Sequence, residues 1–79
     1  MKELYRSIIK QAAKDLCGKN DKDRMEVVRW MTGEDFEETC VGADVKPELL
    51  KKFFVAMVKV PLDERKSYSQ SLISVLDAS

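Results

Sequence analysis

The sequence contains no histidine, two cysteines and three glycines. Without histidine, no imidazole is present to act as a general base, and two cysteines alone cannot complete a four-ligand zinc site within one chain. The glycines are each expected near the end of a helix, so no glycine-rich phosphate-binding loop is predicted. These absences predict that the protein is not an enzyme and that it holds no metal and no cofactor.

Long apolar runs and an excess of one charge are also absent. The longest apolar run, residues 53–58, is far shorter than the roughly 20 residues that a membrane-spanning helix needs, so no membrane partner is expected. The first residues, MKELYRS, do not have the pattern of a signal peptide, which predicts a cytoplasmic protein in which Cys17 and Cys40 are buried, reduced thiols. The 14 basic residues balance 14 acidic ones, which disfavours binding to nucleic acid through bulk positive charge.

A chain of 79 residues predicts a single domain, residues 1–79, with one small core. Apolar residues recur with the spacing of helices, and the alternation typical of strands is missing. Helices are predicted over residues 2–17, 21–31, 34–42 and 47–58, and from about residue 63 onwards. The predicted fold class is therefore all-α, a compact bundle of about five short helices that contains a helix-turn-helix-like pair.

The same spacing predicts which side chains face the core, and Phe53 is expected to be fully buried. Asn20 or Asp21 is expected to cap the second helix, and Thr32 followed by Asp35 predicts a capping box at the start of the third helix. The other inward positions that the pattern predicts are Leu4, Tyr5, Ile8, Ile9, Ala12, Ala13, Leu16, Met25, Val27, Val28, Trp30, Met31, Phe36, Thr39, Cys40, Ala43, Leu49, Leu50, Phe54, Met57, Val58, Tyr68, Leu72, Val75 and Leu76.

Residues 33–58 have the outline of a helix-turn-helix. Such a motif needs a small residue where the helices cross, a turn residue four positions later and an apolar residue next, and Cys40, Asp44 and Val45 meet these needs. The second helix of the motif presents its N-terminal residues to the major groove of DNA. The DNA-binding residues predicted on this basis are Lys46, Glu48, Lys51 and Lys52.

A second group of basic residues lies on the polar side of the first helix, where Lys2, Arg6, Lys10 and Lys14 follow one another at intervals of four. One interpretation is that Arg6, Lys10 and Lys14 contact phosphate or an acidic partner. The other is an ordinary solvated helix face, which is the more common cause of this spacing.

The segment RWMTGEDFEETCVGADVKPELLKKF, about a third of the chain, resembles a stretch of small bacteriophage and prophage proteins. In that stretch a tryptophan, an acidic residue with Phe and a Cys precede an Ala-Gly-apolar-Asp-Pro turn that leads into a basic helix. The chain departs from it at Asp44, where the pattern has Gly, and at Lys46, where it has Asp. The resemblance implies a phage or mobile-element origin and a DNA-binding or regulatory role without enzyme activity. The matching residues are Trp30, Phe36, Cys40, Ala43, Val45 and Pro47.

Two functions stay open at this point. One is a regulatory domain that binds double-stranded DNA, for which a homodimer is expected because such proteins usually engage two half-sites. The other is a protein-interaction module or phage accessory protein that binds no nucleic acid. Acidic side chains in the first helix of the motif would repel phosphate, although they also stabilise the start of that helix. These side chains are Glu34, Asp35, Glu37 and Glu38.

Overall fold

The computed structural model describes residues 2–78, which form five α-helices and no strand. The helices are α1 (Lys2–Cys17), α2 (Asp21–Met31), α3 (Glu34–Gly42), α4 (Pro47–Lys59) and α5 (Leu62–Ala78). The Cα radius of gyration of 11.5 Å is close to the value of about 12 Å expected for a compact chain of this length. The predicted all-α bundle of about five short helices is confirmed, and the helix bounds agree with the predicted ones to within a residue.

The first helix, α1, is the central element, and it packs against each of the other four helices. Its buried residues Ile9, Ala13 and Leu16 form the middle of the core, where Phe54 and Met57 of α4 meet them. Within residues 2–78, no helix is both long and apolar enough to cross a bilayer. The cytoplasmic location stays a prediction.

Gly42 of α3 lies against the ring of Tyr5 of α1. A Cβ atom added at Gly42 would lie 2.5 Å from Cδ2 and 2.6 Å from Cγ of Tyr5. Because the overlap includes Cγ as well as the ring edge, a methyl group there would force the Tyr5 side chain out of its position or the two helices apart. The absence of a side chain at Gly42 therefore lets the Tyr5 ring pack directly against α3.

Several side chains that were predicted to face the core lie at the surface instead. Met25 and Val28 of α2 are 61% and 44% exposed, because the core covers only the side of α2 that carries Val27 and Met31. The prediction that Phe53 is fully buried is wrong. Its neighbour Phe54 takes that position, and Phe53 lies at the edge of the core. Leu4, Ile8, Leu49 and Val75 are also exposed.

The helix caps agree with the prediction at α2 and differ from it at α3. Asn20 caps α2, as expected, by accepting two backbone N–H bonds of 2.9 and 3.2 Å. The capping box predicted at Thr32 and Asp35 is wrong, because the Thr32 hydroxyl donates to the carbonyl oxygen of Arg29 at 2.8 Å and so ends α2. The N-cap of α3 is Gly33, which has no side chain to offer.

Candidate functional site

The turn between α3 and α4 is a Schellman motif with Asp44 in the left-handed position. The N–H of Val45 donates to the carbonyl oxygen of Cys40 at 2.9 Å, and the N–H of Asp44 donates to that of Val41 at 3.1 Å. These two bonds satisfy carbonyl groups that the end of α3 would otherwise leave unpaired. Asp44 has a φ of 61°, which glycine adopts more easily than any other residue. A defined turn therefore separates α3 from α4.

The predicted DNA-binding residues Lys46, Glu48, Lys51 and Lys52 are all exposed. Glu48 and Lys52 lie one helical turn apart, and Lys51 shares a depression of about 370 Å³ with Glu37 and Glu48. Glu37 is the acidic residue of α3 that borders this depression. Because negative charges lie among the lysines, the start of α4 does not form a purely basic surface. The exposed acidic residues of α3 are Glu34, Asp35, Glu37 and Glu38.

Arg6, a predicted phosphate contact, joins the C-terminal ends of two other helices. Its Nε donates to the carbonyl oxygen of Ala43 at 3.1 Å, and its Nη1 donates to that of Leu76 at 3.2 Å. Both carbonyl groups lie at helix ends, where a cation also interacts favourably with the helix dipole. Arg6 therefore holds α3 and α5 against the start of α1.

The lysines on the same side of α1 differ in their surroundings. Lys10 pairs with Asp77 of α5. The Nζ of Lys2 lies 3.4 Å from Oδ2 of Asp44, and both of these side chains are largely exposed. Lys14 is exposed and borders a groove between α1 and α5. Of the three predicted contacts on α1, only Lys14 is an exposed side chain.

Arg65 has a similar role to Arg6 at the opposite end of the bundle. Its guanidinium donates to the carbonyl oxygens of Leu16 at 3.0 Å, Val58 at 3.1 Å and Val60 at 3.1 Å. These carbonyl groups end α1 and α4. The sequence carries a signal of this role, since Arg65 lies on the same helical stripe as the buried Leu72 and Leu76. A charged residue on a buried stripe indicates an internal partner.

A groove of about 630 Å³ lies between α2 on one side and α4 and α5 on the other. Leu16 of α1 is part of its lining, and the exposed apolar side chains Met25 and Val28 project from α2. We call this feature the arginine groove, because three of its residues are arginines. Sequence reasoning missed it since Met25 and Val28 were expected inside. Its residues are Leu16, Asp21, Arg24, Met25, Val28, Arg29, Thr32, Val58 and Arg65.

The arginines of the groove are not equivalent. Arg24 donates to the carbonyl oxygen of Gly18 and pairs with Asp21, and Arg65 is held by its three carbonyl partners. Arg29 is exposed in the last turn of α2. Arg29 is therefore the arginine of the groove that is best placed to meet a partner.

The cysteines are both free thiols, as predicted, but only one of them is fully buried. Burial, and to a lesser extent the charge of Glu37, raises the pKa of the Cys40 thiol to about 11. Cys17 is only half-buried and borders the groove between α1 and α5. Within residues 2–78, no group of three or more Cys, Asp and Glu side chains could hold a metal ion.

Comparison with models of known protein families, with curated protein sequences and with solved structures gave no match. The resemblance to phage and prophage proteins therefore stays a prediction.

Proposed function

We propose that the chain is a small, non-catalytic protein-interaction module whose arginine groove binds an acidic amphipathic helix of a partner protein. The observation that supports this most is the exposure of Met25 and Val28 inside a groove bordered by arginines. Apolar side chains in such a depression gain free energy when a partner covers them, at about 25 cal/mol per Å² of apolar surface removed from water.

The shape of the groove favours a helical segment as the occupant. Its walls are helices, and α2, with 11 residues, is about 16 Å long at 1.5 Å per residue. A partner helix of about three turns spans that length. Apolar anchors spaced by three or four residues along such a helix would lie against Met25 and Val28.

The charge of the groove favours an acidic segment. Arg24, Arg29 and Arg65 contribute positive charge, whereas the acidic Asp21 already pairs with Arg24. Aspartate or glutamate beside the apolar anchors of the partner would meet the exposed guanidinium of Arg29. Charge complementarity of this kind selects the partner and speeds its association.

Two features support protein binding more than DNA binding. The donors of Arg6 and Lys10 are engaged with Ala43, Leu76 and Asp77, so these residues add little to a phosphate-binding surface. Glu37 of α3 and Glu48 of α4 also lie beside Lys51, where they would repel the phosphate backbone.

Fluorescence anisotropy with two labelled peptides of about 15 residues tests the proposal. One peptide carries leucine every three or four positions with glutamate between, and the other has lysine in place of every glutamate. We expect the acidic peptide to bind with a Kd on the order of 10–100 µM, because the contact is smaller than a standard interface. The lysine peptide should bind at least about tenfold more weakly, a difference of about 1.4 kcal/mol.

Two variants locate the binding site. Val28→Glu should weaken binding of the acidic peptide by about tenfold or more, since it adds a repelling charge inside the groove. Val41→Glu, the matched control, changes an exposed valine of α3 outside the groove and should leave the Kd unchanged. Equal binding of both peptides, or binding that Val28→Glu does not affect, would contradict the proposal.

Binding of double-stranded DNA is a second candidate function, supported by the geometry of α3 and α4. The Schellman motif fixes where α4 starts, and Lys46, Lys51 and Lys52 are exposed there. With the N-terminus of α4 in the major groove, Lys51 and Lys52 would contact phosphates.

The test is anisotropy of a labelled duplex of about 20 base pairs at low salt. The double variant Lys51→Glu with Lys52→Glu should abolish binding. Lys19→Glu with Lys22→Glu makes the same change of charge at two exposed lysines, one before α2 and one in its first turn, and it should retain most of the affinity. An equal loss of affinity in both double variants would show that the duplex is attracted by overall charge and that α4 does not enter the major groove.

A further inference from the structure

A second groove, of about 720 Å³, lies between α1 and α5. Its volume is in the range of small-molecule binding sites, which is roughly 300–1,000 Å³. The surface inside it is mostly apolar, and lysines lie along its borders. We call this feature the lysine groove. It shares no residue with the arginine groove, so a ligand bound here does not depend on the proposed function. Its residues are Lys14, Cys17, Lys19, Leu62, Asp63, Lys66, Ser69, Gln70 and Ile73.

Contacts between α1 and α5 show that the two helices run antiparallel. The carbonyl oxygen of Leu16, near the end of α1, accepts a hydrogen bond from Arg65, near the start of α5. Lys10, near the middle of α1, pairs with Asp77 at the end of α5. The lysine groove follows α5 over residues 62–73. At 1.5 Å per residue this stretch is about 17 Å long, which is enough for an extended acyl chain of about 12 carbons.

The charges of the groove favour an anionic group at one of its ends. The groove has three lysines and one acidic residue, Asp63. Within residues 2–78, none of these lysines pairs with a carboxylate. Because the helices are antiparallel, Asp63 lies towards Lys19, and Ser69 lies nearer the end that Lys14 borders. A carboxylate is therefore expected at Lys14, where no acidic residue of the lining repels it and the Ser69 hydroxyl can donate to it.

We infer that the lysine groove binds a straight-chain fatty acid of about 12 carbons, with its carboxylate at Lys14 and its acyl chain along α5. Leu62 is 36% exposed, and Ile73 is partly exposed. These side chains and the methylene groups of the lysines would cover the acyl chain. Removal of this apolar surface from water supplies the free energy of binding, and the positive charge selects an anionic head group.

Cys17 reports whether the groove is occupied. It is half-buried in the lining of the groove, whereas Cys40 is fully buried in the core. Iodoacetamide should therefore alkylate Cys17 in the folded protein and leave Cys40 intact. A fatty acid in the groove would cover Cys17 and slow its alkylation. Alkylation of Cys40 would reveal any unfolding by the fatty acid.

Two amphiphiles with the same chain length and opposite charge test the inference. Isothermal titration calorimetry should give laurate a Kd on the order of 10–100 µM. Dodecyltrimethylammonium should bind at least about tenfold more weakly, because its charge is repelled by the lysines. Laurate at ten times its Kd should slow alkylation of Cys17 about tenfold, since about a tenth of the protein stays unbound.

Three variants locate the binding site. Lys14→Glu should weaken laurate binding by about tenfold or more, because it places a negative charge where the carboxylate is expected. Lys59→Glu, the matched control, makes the same change at an exposed lysine of α4 outside the groove and should leave the Kd unchanged. Val28→Glu, in the arginine groove, should also leave it unchanged. Unchanged circular dichroism would show that these variants still fold.

Four results would overturn the inference. The first is equal binding of laurate and dodecyltrimethylammonium, and the second is alkylation of Cys17 at the same rate with and without laurate. The third is a Kd for laurate that Lys14→Glu leaves unchanged. The fourth is an equal loss of affinity in Lys14→Glu and Lys59→Glu, which would show that laurate is attracted by overall charge alone.

Discussion

Replacement of Arg65 is expected to destabilise the fold more than its partly exposed position suggests. Arg65→Ala removes three hydrogen bonds, of 3.0 to 3.1 Å, from a charged donor to the carbonyl oxygens of Leu16, Val58 and Val60. The C-terminal ends of α1 and α4 would lose the group that connects them. In the variant, these carbonyl groups must find water or stay unpaired.

The magnitude follows from the number and surroundings of these bonds. A hydrogen bond to a charged group contributes about 1.5–3 kcal/mol to stability, so three of them set an upper limit of roughly 9 kcal/mol. Helix-end carbonyl groups near the surface regain water, which reduces the expected loss to about 3 kcal/mol. A domain of this size has a total stability of roughly 4–12 kcal/mol, so the loss is a large part of it.

Urea unfolding monitored by Trp30 fluorescence measures the effect. With a slope of about 1 kcal/mol per molar urea, typical of a small domain, Arg65→Ala should lower the midpoint by about 3 M. Arg65→Lys keeps the charge but not the planar guanidinium with its several N–H donors, so about half of the loss in the free energy of unfolding is expected. Lys66→Ala changes the exposed neighbouring residue and should stay within about 0.5 kcal/mol of the wild type.

Two results would refute this reasoning. If Arg65→Ala costs less than about 0.5 kcal/mol, the helix ends do not depend on the guanidinium. If Arg65→Lys is as stable as the wild type, a point charge near the helix ends is sufficient, and the three directed bonds contribute little.

Three further changes test other parts of the fold. Gly42→Ala should lower the free energy of unfolding by about 1–3 kcal/mol, because its Cβ would overlap the Tyr5 ring; an unchanged urea midpoint would contradict that contact. Asp44→Gly should raise stability by up to about 1 kcal/mol by relieving the left-handed backbone, whereas Asp44→Ala, which keeps the Cβ atom, should not; calorimetry of both variants decides this. Because the pKa of the Cys40 thiol is raised to about 11, the unfolded chain should lose this proton first. The contribution of the protonated Cys40 thiol to the free energy of unfolding is complete below about pH 8.5, and it disappears as the pH rises through about 11. Urea midpoints across this range should fall in the wild type and in Cys17→Ser, and fall less in Cys40→Ala.

The helix bounds could be predicted because each depends on residues close in sequence. Pro47 begins α4, Asn20 caps α2, and apolar spacing marks the extent of each helix. The roles of Arg6 and Arg65 could not be predicted in the same way. The hydrogen-bond partners of Arg6 are 37 and 70 residues away in the sequence, and Leu16 is 49 residues away from Arg65. Periodicity tells which side of a helix is buried, but not which helix end lies opposite a given side chain.

The arginine groove escaped prediction for a related reason. The apolar residues of α2 spread around much of its circumference, so the sequence alone allowed Met25 and Val28 to face inward. The structure covers only one side of α2, through Val27 and Met31. How much of an apolar helix is covered depends on the number of helices that surround it, and this number is a property of the whole fold. A helix that is more apolar than its burial requires indicates a surface available for binding.

The placement of the arginines bears on the choice between the two proposed functions. The chain has four arginines, and the guanidinium groups of Arg6, Arg24 and Arg65 are engaged with backbone carbonyls or Asp21. Arginine is the residue that contacts guanine and phosphate with two donors at once, whereas lysine acts as a point charge. DNA binding through the lysines of α4 would therefore be strongly salt-dependent and poor in sequence discrimination. Arg29 remains exposed, and it lies in the groove beside Met25 and Val28. Arg29→Lys should thus weaken binding of the acidic peptide and leave binding of duplex DNA unchanged, so this single substitution separates the two functions.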